Sequence, residues 1–156
     1  MRKCGSCDAC CTVMGVDDLD KAAGTRCEHL KGHANATRCC TIYSERPEAC
    51  DVFKCGWLAG IGPSSLRPDR SGLMFTSNYI PDGVGGGRFQ FQVYRLRREW
   101  SQQAKDVINK LSERGVVIHV DGDNRTILGG PHKDIRWMLK KIDEAKEKGL
   151  VKEDGS

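Results

Sequence analysis

The sequence contains no apolar run near the ~18 residues that a membrane-crossing helix requires, which excludes a helical span. No apolar core stands behind the basic residues of its start, since Met1-Arg2-Lys3 runs straight into Cys4, and a secretory signal is therefore not expected. Net charge is small: 25 Lys and Arg against 21 Asp and Glu leave +4, too little to argue for nucleic acid on electrostatics alone. Even that excess belongs to the second part, because eight basic residues balance eight acidic ones up to Gly60. Residues 1–60 are also poor in large apolar side chains, with Val13, Met14, Leu30, Phe53 and Trp57 among the few. Such a segment cannot offset the entropy of ordering its backbone by burial alone, and it needs a staple. Finally, no cysteine follows Cys55.

What is present is the inverse of that last absence. All nine cysteines lie in the first 55 residues, four of them in Cys4-Gly-Ser-Cys7-Asp-Ala-Cys10-Cys11, followed by Cys27, Cys39, Cys40, Cys50 and Cys55. A chain without an export signal is expected in a reducing cytoplasm, where clustered cysteines bind metal more often than they form disulfides. Thiolate–metal bonds would then supply the staple, because metal-binding free energy becomes folding free energy. Two cysteines separated by two residues close on one metal without strain, as in tetrahedral zinc sites. Here Cys4/Cys7 and Cys7/Cys10 overlap, and adjacent residues such as Cys10 and Cys11 point apart. The pattern therefore implies two neighbouring metals or one bridged cluster. Two four-cysteine sites need eight thiolates and nine are present, so Cys39 or Cys40 is spare; His29 and His33 are weaker substitutes. Iron–sulfur clusters also take four thiolates, so spacing alone does not choose between zinc and iron. A disulfide framework is the competing reading. A thioredoxin-like redox motif is weaker still, since no βαβ unit surrounds Cys4 and Cys7.

Around the cysteines, Val13 to Gly24 reads as a loop or turn. Its Asp17-Asp18-x-Asp20 cluster lacks the glycine and distal glutamate of a calcium loop. Pro47 to Phe53 reads as a short helix, with Pro47 and Glu48 suited to its start. Residues 61–72, rich in Gly, Pro and Ser, read as a linker between a cysteine domain (1–60) and an α/β layer (73–150), with a tail at 151–156. In that layer Leu73–Ile80 reads as a strand. Arg88–Tyr94 alternates Phe89, Phe91 and Val93 with polar partners, the period of a half-buried strand. Ser101 caps a helix to Arg114 with the stripe Ala104, Val107, Ile108 and Leu111. Val116–Val120 and Thr126–Leu128 read as strands, and Pro131 opens a last helix with the stripe Ile135, Met138, Leu139, Ile142 and Ala145. The order β-β-α-β-β-α implies an α+β fold: a loop-rich, metal-stapled cysteine domain against a small, mostly antiparallel sheet with two helices on one face.

Other features are read conservatively. Gly83–Gly87 lacks the order of a phosphate loop and reads as a hairpin turn. Arg95, Arg97 and Arg98, with Tyr94 and Trp100, could contact phosphates and stack bases, but such a run is more often a solvated strand edge. His119 and His132 have no nucleophile and orienting carboxylate beside them. Asp121 and Asp123 suit a turn better than acid–base work, and Trp137 is expected to pack on the sheet.

The combination Cys4-x2-Cys7-x2-Cys10-Cys11, Cys27-Glu-His29-Leu30 and Cys40-Thr-Ile42-Tyr43-x2-Arg46-Pro47-x2-Cys50-x2-Phe53-x-Cys55-x-Trp57 resembles the YkgJ-type cysteine-cluster family. That is the bacterial CxxCxxCC group described as a zinc- or iron-chelating domain. The resemblance covers about residues 4–60. It implies that the metal ligands are Cys4, Cys7, Cys10, Cys11, Cys27, Cys40, Cys50 and Cys55, leaving Cys39 as the extra cysteine. Flagellin lysine methylases resemble the same motif within a larger enzyme, a hint of protein-modification chemistry. Arg46 would offset the negative charge of a thiolate-bound metal; a surface role is the alternative. The expectation is thus a cytoplasmic metal-binding protein holding zinc, most simply two ions, with a possible protein partner. The alternatives are an iron–sulfur protein with a redox, sensing or enzymatic role and, third, a nucleic-acid module.

Overall fold

The period-two pattern at 88–94 and the continuous apolar run Val116-Val117-Ile118 set the sheet, and the helices follow from which of its faces need cover. The computed structural model describes residues 2–31 and 40–150. Five helices occur among them: α1 (Ala9–Val13), α2 (Glu48–Val52), α3 (Pro68–Ser71), α4 (Gln102–Ser112) and α5 (His132–Glu147). The four strands are β1 (Leu73–Pro81), β2 (Gly87–Arg95), β3 (Gly115–Asp121) and β4 (Asn124–Gly129). They form one sheet in the order β1-β2-β3-β4, antiparallel except for the parallel β2/β3 pair. The chain is therefore α+β.

The β1–β2 hairpin turns on Asp82, whose carboxylate accepts from Val84 N–H (3.0 Å) and Gly86 N–H (2.9 Å). Gly83 and Gly85 take the positive φ that this turn requires. These bonds hold the Asp82 carboxyl below the usual carboxylate range. Ser101 caps α4: its Oγ accepts from Ala104 N–H at 3.1 Å and donates to the Ser71 carbonyl at 3.0 Å, tying α4 to the end of α3.

Each face of the sheet carries a core. On one, Leu73, Phe75, Phe91, Val93 and Val117 meet Ala104, Ile108 and Leu111 of α4. On the other, Met74, Tyr94, Val116, Ile118 and Val120 meet Met138 and Ile135 of α5, and also Ala9, Cys55, Trp57 and Leu66. The two long helices thus lie on opposite faces, not on one. The parallel β2-α4-β3 crossover commits α4 to the first face. The helix after the antiparallel β4 is free of that constraint and takes the uncovered face beside the cysteine segment. Only the first part of the α5 stripe is used, since Leu139 and Ile142 remain 45% and 39% exposed. Trp137 packs against this second core under the Arg88 guanidinium (4.5 Å), which also pairs with the buried Asp134 at 3.0 Å.

The stretch 61–72 is packed, not extended. It holds a 3-10 turn (Ser64–Leu66) and α3, and Leu66 is buried in the second core. Gly56 carries the cysteine segment past the edge of β1, donating its N–H to the Phe75 carbonyl at 2.7 Å. Cys55 and Trp57, on either side of it, turn into the second core.

Candidate metal centre

Short local devices bring distant cysteines together. A turn in which Cys7 N–H donates to the Cys4 carbonyl (3.1 Å), with Gly5 at φ 58°, folds the first pair. Arg67, just before α3, clasps this turn by donating to Ser6 Oγ (2.8 Å) while pairing with Asp69 (2.8 Å). Arg2 donates to the carbonyls of Trp57 (2.7 Å) and Ile61 (3.2 Å), so both ends of the turn are tied to the region after Cys55. In α1, Ala9 is buried and Cys10 and Cys11 follow on successive sides of the helix. Cys27 N–H donates to the Cys11 carbonyl at 2.8 Å. Leu30 pairs with Cys40 in an isolated antiparallel bridge, reinforced by Thr41 N–H to the His29 carbonyl (2.9 Å). Pro47 opens α2, and its carbonyl accepts from Cys50 N–H at 2.9 Å.

The result is one cavity of about 230 Å³ lined by Cys4, Cys7, Cys10, Cys11, Cys27, Cys40, Cys50 and Cys55 together. Its remaining walls are largely apolar, with Met14, Leu19, Phe53, Leu58 and Met74 among them. Cys27 and Cys55 are buried and the other six are half-buried; all eight carry free thiols. His29 does not line the cavity and lies 3.5 Å from Glu28. Cys39 and His33 lie outside the described residues.

The electrostatics are those of crowded thiols. Burial pushes the Cys4, Cys7 and Cys50 thiols up from their ordinary value. Cys10 donates a hydrogen bond to Cys11, which raises Cys10 strongly and lowers Cys11 to about 7. Two cations line the wall. Lys21 is 8% exposed, and its Nζ donates to the Met14 carbonyl and, at 3.5 Å, to that of Ala22. Burial lowers its pKa, while the Cys27 and Cys11 thiols beside it push the other way. Arg46 stacks its guanidinium over Tyr43 (4.1 Å), and its Nε donates to Asp51 at 2.9 Å, an ion pair that raises its pKa.

Sequence reasoning missed Lys21 and Arg67. Neither sits in a motif; each reaches the site through folding that only the tertiary structure reveals. The basic run is broken up: Arg97 donates to the Arg70 carbonyl (2.6 Å) at the end of α3, and Arg95 lies 5.9 Å from the Trp100 ring. Trp100 in turn meets His119 edge to face.

The donor set suits zinc or an iron–sulfur cluster: eight soft sulfur ligands in a mostly apolar enclosure, with cations at hand to offset thiolate charge. Among the described residues, no three His, Cys, Asp or Glu side chains are gathered closely enough to form a metal-binding group. Also among the described residues, no helix is long and apolar enough to cross a membrane. Comparison with protein-family models, curated proteins and solved structures finds no match to this chain.

Proposed function

We propose that this protein binds metal through its cysteine cluster, as the resemblance to the YkgJ-type family implies, and that the metal is zinc, most simply two ions. One observation carries the reading: the eight cysteines named by the motif, spread over some fifty residues, line a single cavity. Bound zinc would cross-link the Cys4–Cys7 turn, α1, the Cys27 and Cys40 segments and α2, stabilising a region with few apolar side chains. Thiols held this way stay reduced, which fits the cytoplasm, and the α/β layer would then offer a partner surface. The apolar walls favour a second reading, an iron–sulfur cluster on the same thiolates, because low solvent exposure is one of the levers that tune such clusters.

Elemental analysis of the full chain, purified anaerobically from its native host, tests both readings. Colourless protein releasing about two zinc ions per chain on denaturation is the expected result. Brown protein carrying iron and sulfide transfers the site to the second reading. Protein free of any metal overturns the proposal.

A further inference from the structure

We propose that the cavity thiols divide into two separate four-ligand sites, Cys4, Cys7, Cys10 and Cys55 forming one and Cys11, Cys27, Cys40 and Cys50 the other, each holding its own metal; this rests on the metal-binding reading above. The border runs through α1. Successive residues on a helix point about 100° apart, and here that rotation delivers two neighbours to two different cores. Cys7 and Cys10 pack against the large core of the sheet face, where Cys55 is itself a buried member. Cys11 packs instead against a small separate core made by Cys27 and Leu30.

The backbone follows the same division. Cys4 joins Cys7 through their shared turn. Cys27 is bonded directly to Cys11, and the Leu30–Cys40 bridge returns Cys40 to the Cys27 segment. Cys50, on α2, lines the same cavity but does not pack with the large core that holds Cys7, Cys10 and Cys55, and as the eighth thiol it completes the second set of four. The two sets adjoin at α1, where Cys10 and Cys11 are neighbours in the chain.

The division makes the two sites unlike in their surroundings. The first is continuous with the hydrophobic core and clasped by Arg67. The second sits over its own small core, and the buried ammonium of Lys21 lines the cavity the two sites share. Four thiolates on a divalent metal leave net negative charge, which Lys21 would offset.

The test uses the intact full-length chain loaded with an NMR-active cadmium isotope, reading through-bond correlations from each cadmium to the cysteine β-protons. Two resonances are expected, one correlating with Cys4, Cys7, Cys10 and Cys55 and the other with the remaining four. A thiol correlating with both ions, or a set mixing the two groups, overturns the division and leaves the metal-binding reading intact. A chain that takes up neither cadmium nor zinc overturns both. Zinc counts on Cys7→Ser and Cys50→Ser give an independent readout: each single variant falls from two zinc ions to one and the double variant to none. Loss of both ions in either single variant indicates one bridged cluster and overturns the division.

Discussion

Replacing Gly56 by alanine probes the joint between the cysteine segment and the sheet. A Cβ at this position would stand 2.6 Å from Phe75 Cδ2 and nearer still to Cε2 and Cζ. The ring cannot yield cheaply. Phe75 is 2% exposed and packed among Leu73, Phe91, Val93 and α4. The added methyl must therefore displace the ring into a filled core or push the segment off the edge of β1, breaking the Gly56 N–H bond to the Phe75 carbonyl. Overpacking costs about 1–3 kcal/mol and the lost hydrogen bond about 1 more, so Tm should drop by roughly 5–15 °C. The double variant Gly56→Ala/Phe75→Leu isolates the cause. Phe75→Leu alone should cost about 1–2 kcal/mol by opening a cavity, but in the double variant the new methyl occupies that space. Thermal unfolding followed by circular dichroism should then give a combined loss at least ~1 kcal/mol smaller than the sum of the singles. Strictly additive losses, or a Gly56→Ala chain that melts like the parent, would refute the close packing of Gly56 on Phe75.

Further outcomes follow from the same contacts. Chelation should abolish hydrogen-exchange protection at the Cys7, Cys27 and Gly56 amides while β2 and β3 stay protected; unchanged exchange would show that metal does not staple residues 1–60. Ser101→Ala should lower stability by about 1 kcal/mol through loss of the α4 cap while leaving the metal content unchanged; denaturant titration with elemental analysis checks both. Lys21→Met should weaken zinc binding by about 10-fold through loss of a cation near the thiolates, measured by competition with a chromogenic chelator; equal affinity would place Lys21 outside the influence of the metals. Asp134→Ala should cost about 1.5–3 kcal/mol, because the partly buried Arg88 loses its carboxylate partner, and a melt within error of the parent would count against that pair.

Much of the architecture was readable before the structure. The alternation at 88–94, the glycine-rich hairpin turn and the Ser101 cap are local signals, and the four strands, α2, α4 and α5 fall within a residue or two of their expected bounds, whereas α1, and α3 inside the expected linker, were not foreseen. The side on which α5 lies was not readable from its own stripe. The clue lay elsewhere, in the unbroken Val116-Val117-Ile118, which makes sense only in a strand covered on both faces. Leu139 and Ile142 look like core by periodicity, yet α5 runs past the area it covers. In the site, the eight cysteines implied by the family resemblance do line one cavity. The supporting cast escaped notice because Arg67 acts across some sixty residues of sequence and Lys21 is marked only by its burial.

The second core joins Cys55 to Val116, Ile118 and Val120, and this has a consequence during synthesis. Translation adds about 5–20 residues per second, so roughly 3–13 s separate the appearance of that cysteine from that of the strand it leans on. Throughout that interval the nascent sulfurs have no sheet to shelter them. Whatever captures them first, ion or oxidant, does so before the wall behind them has been made.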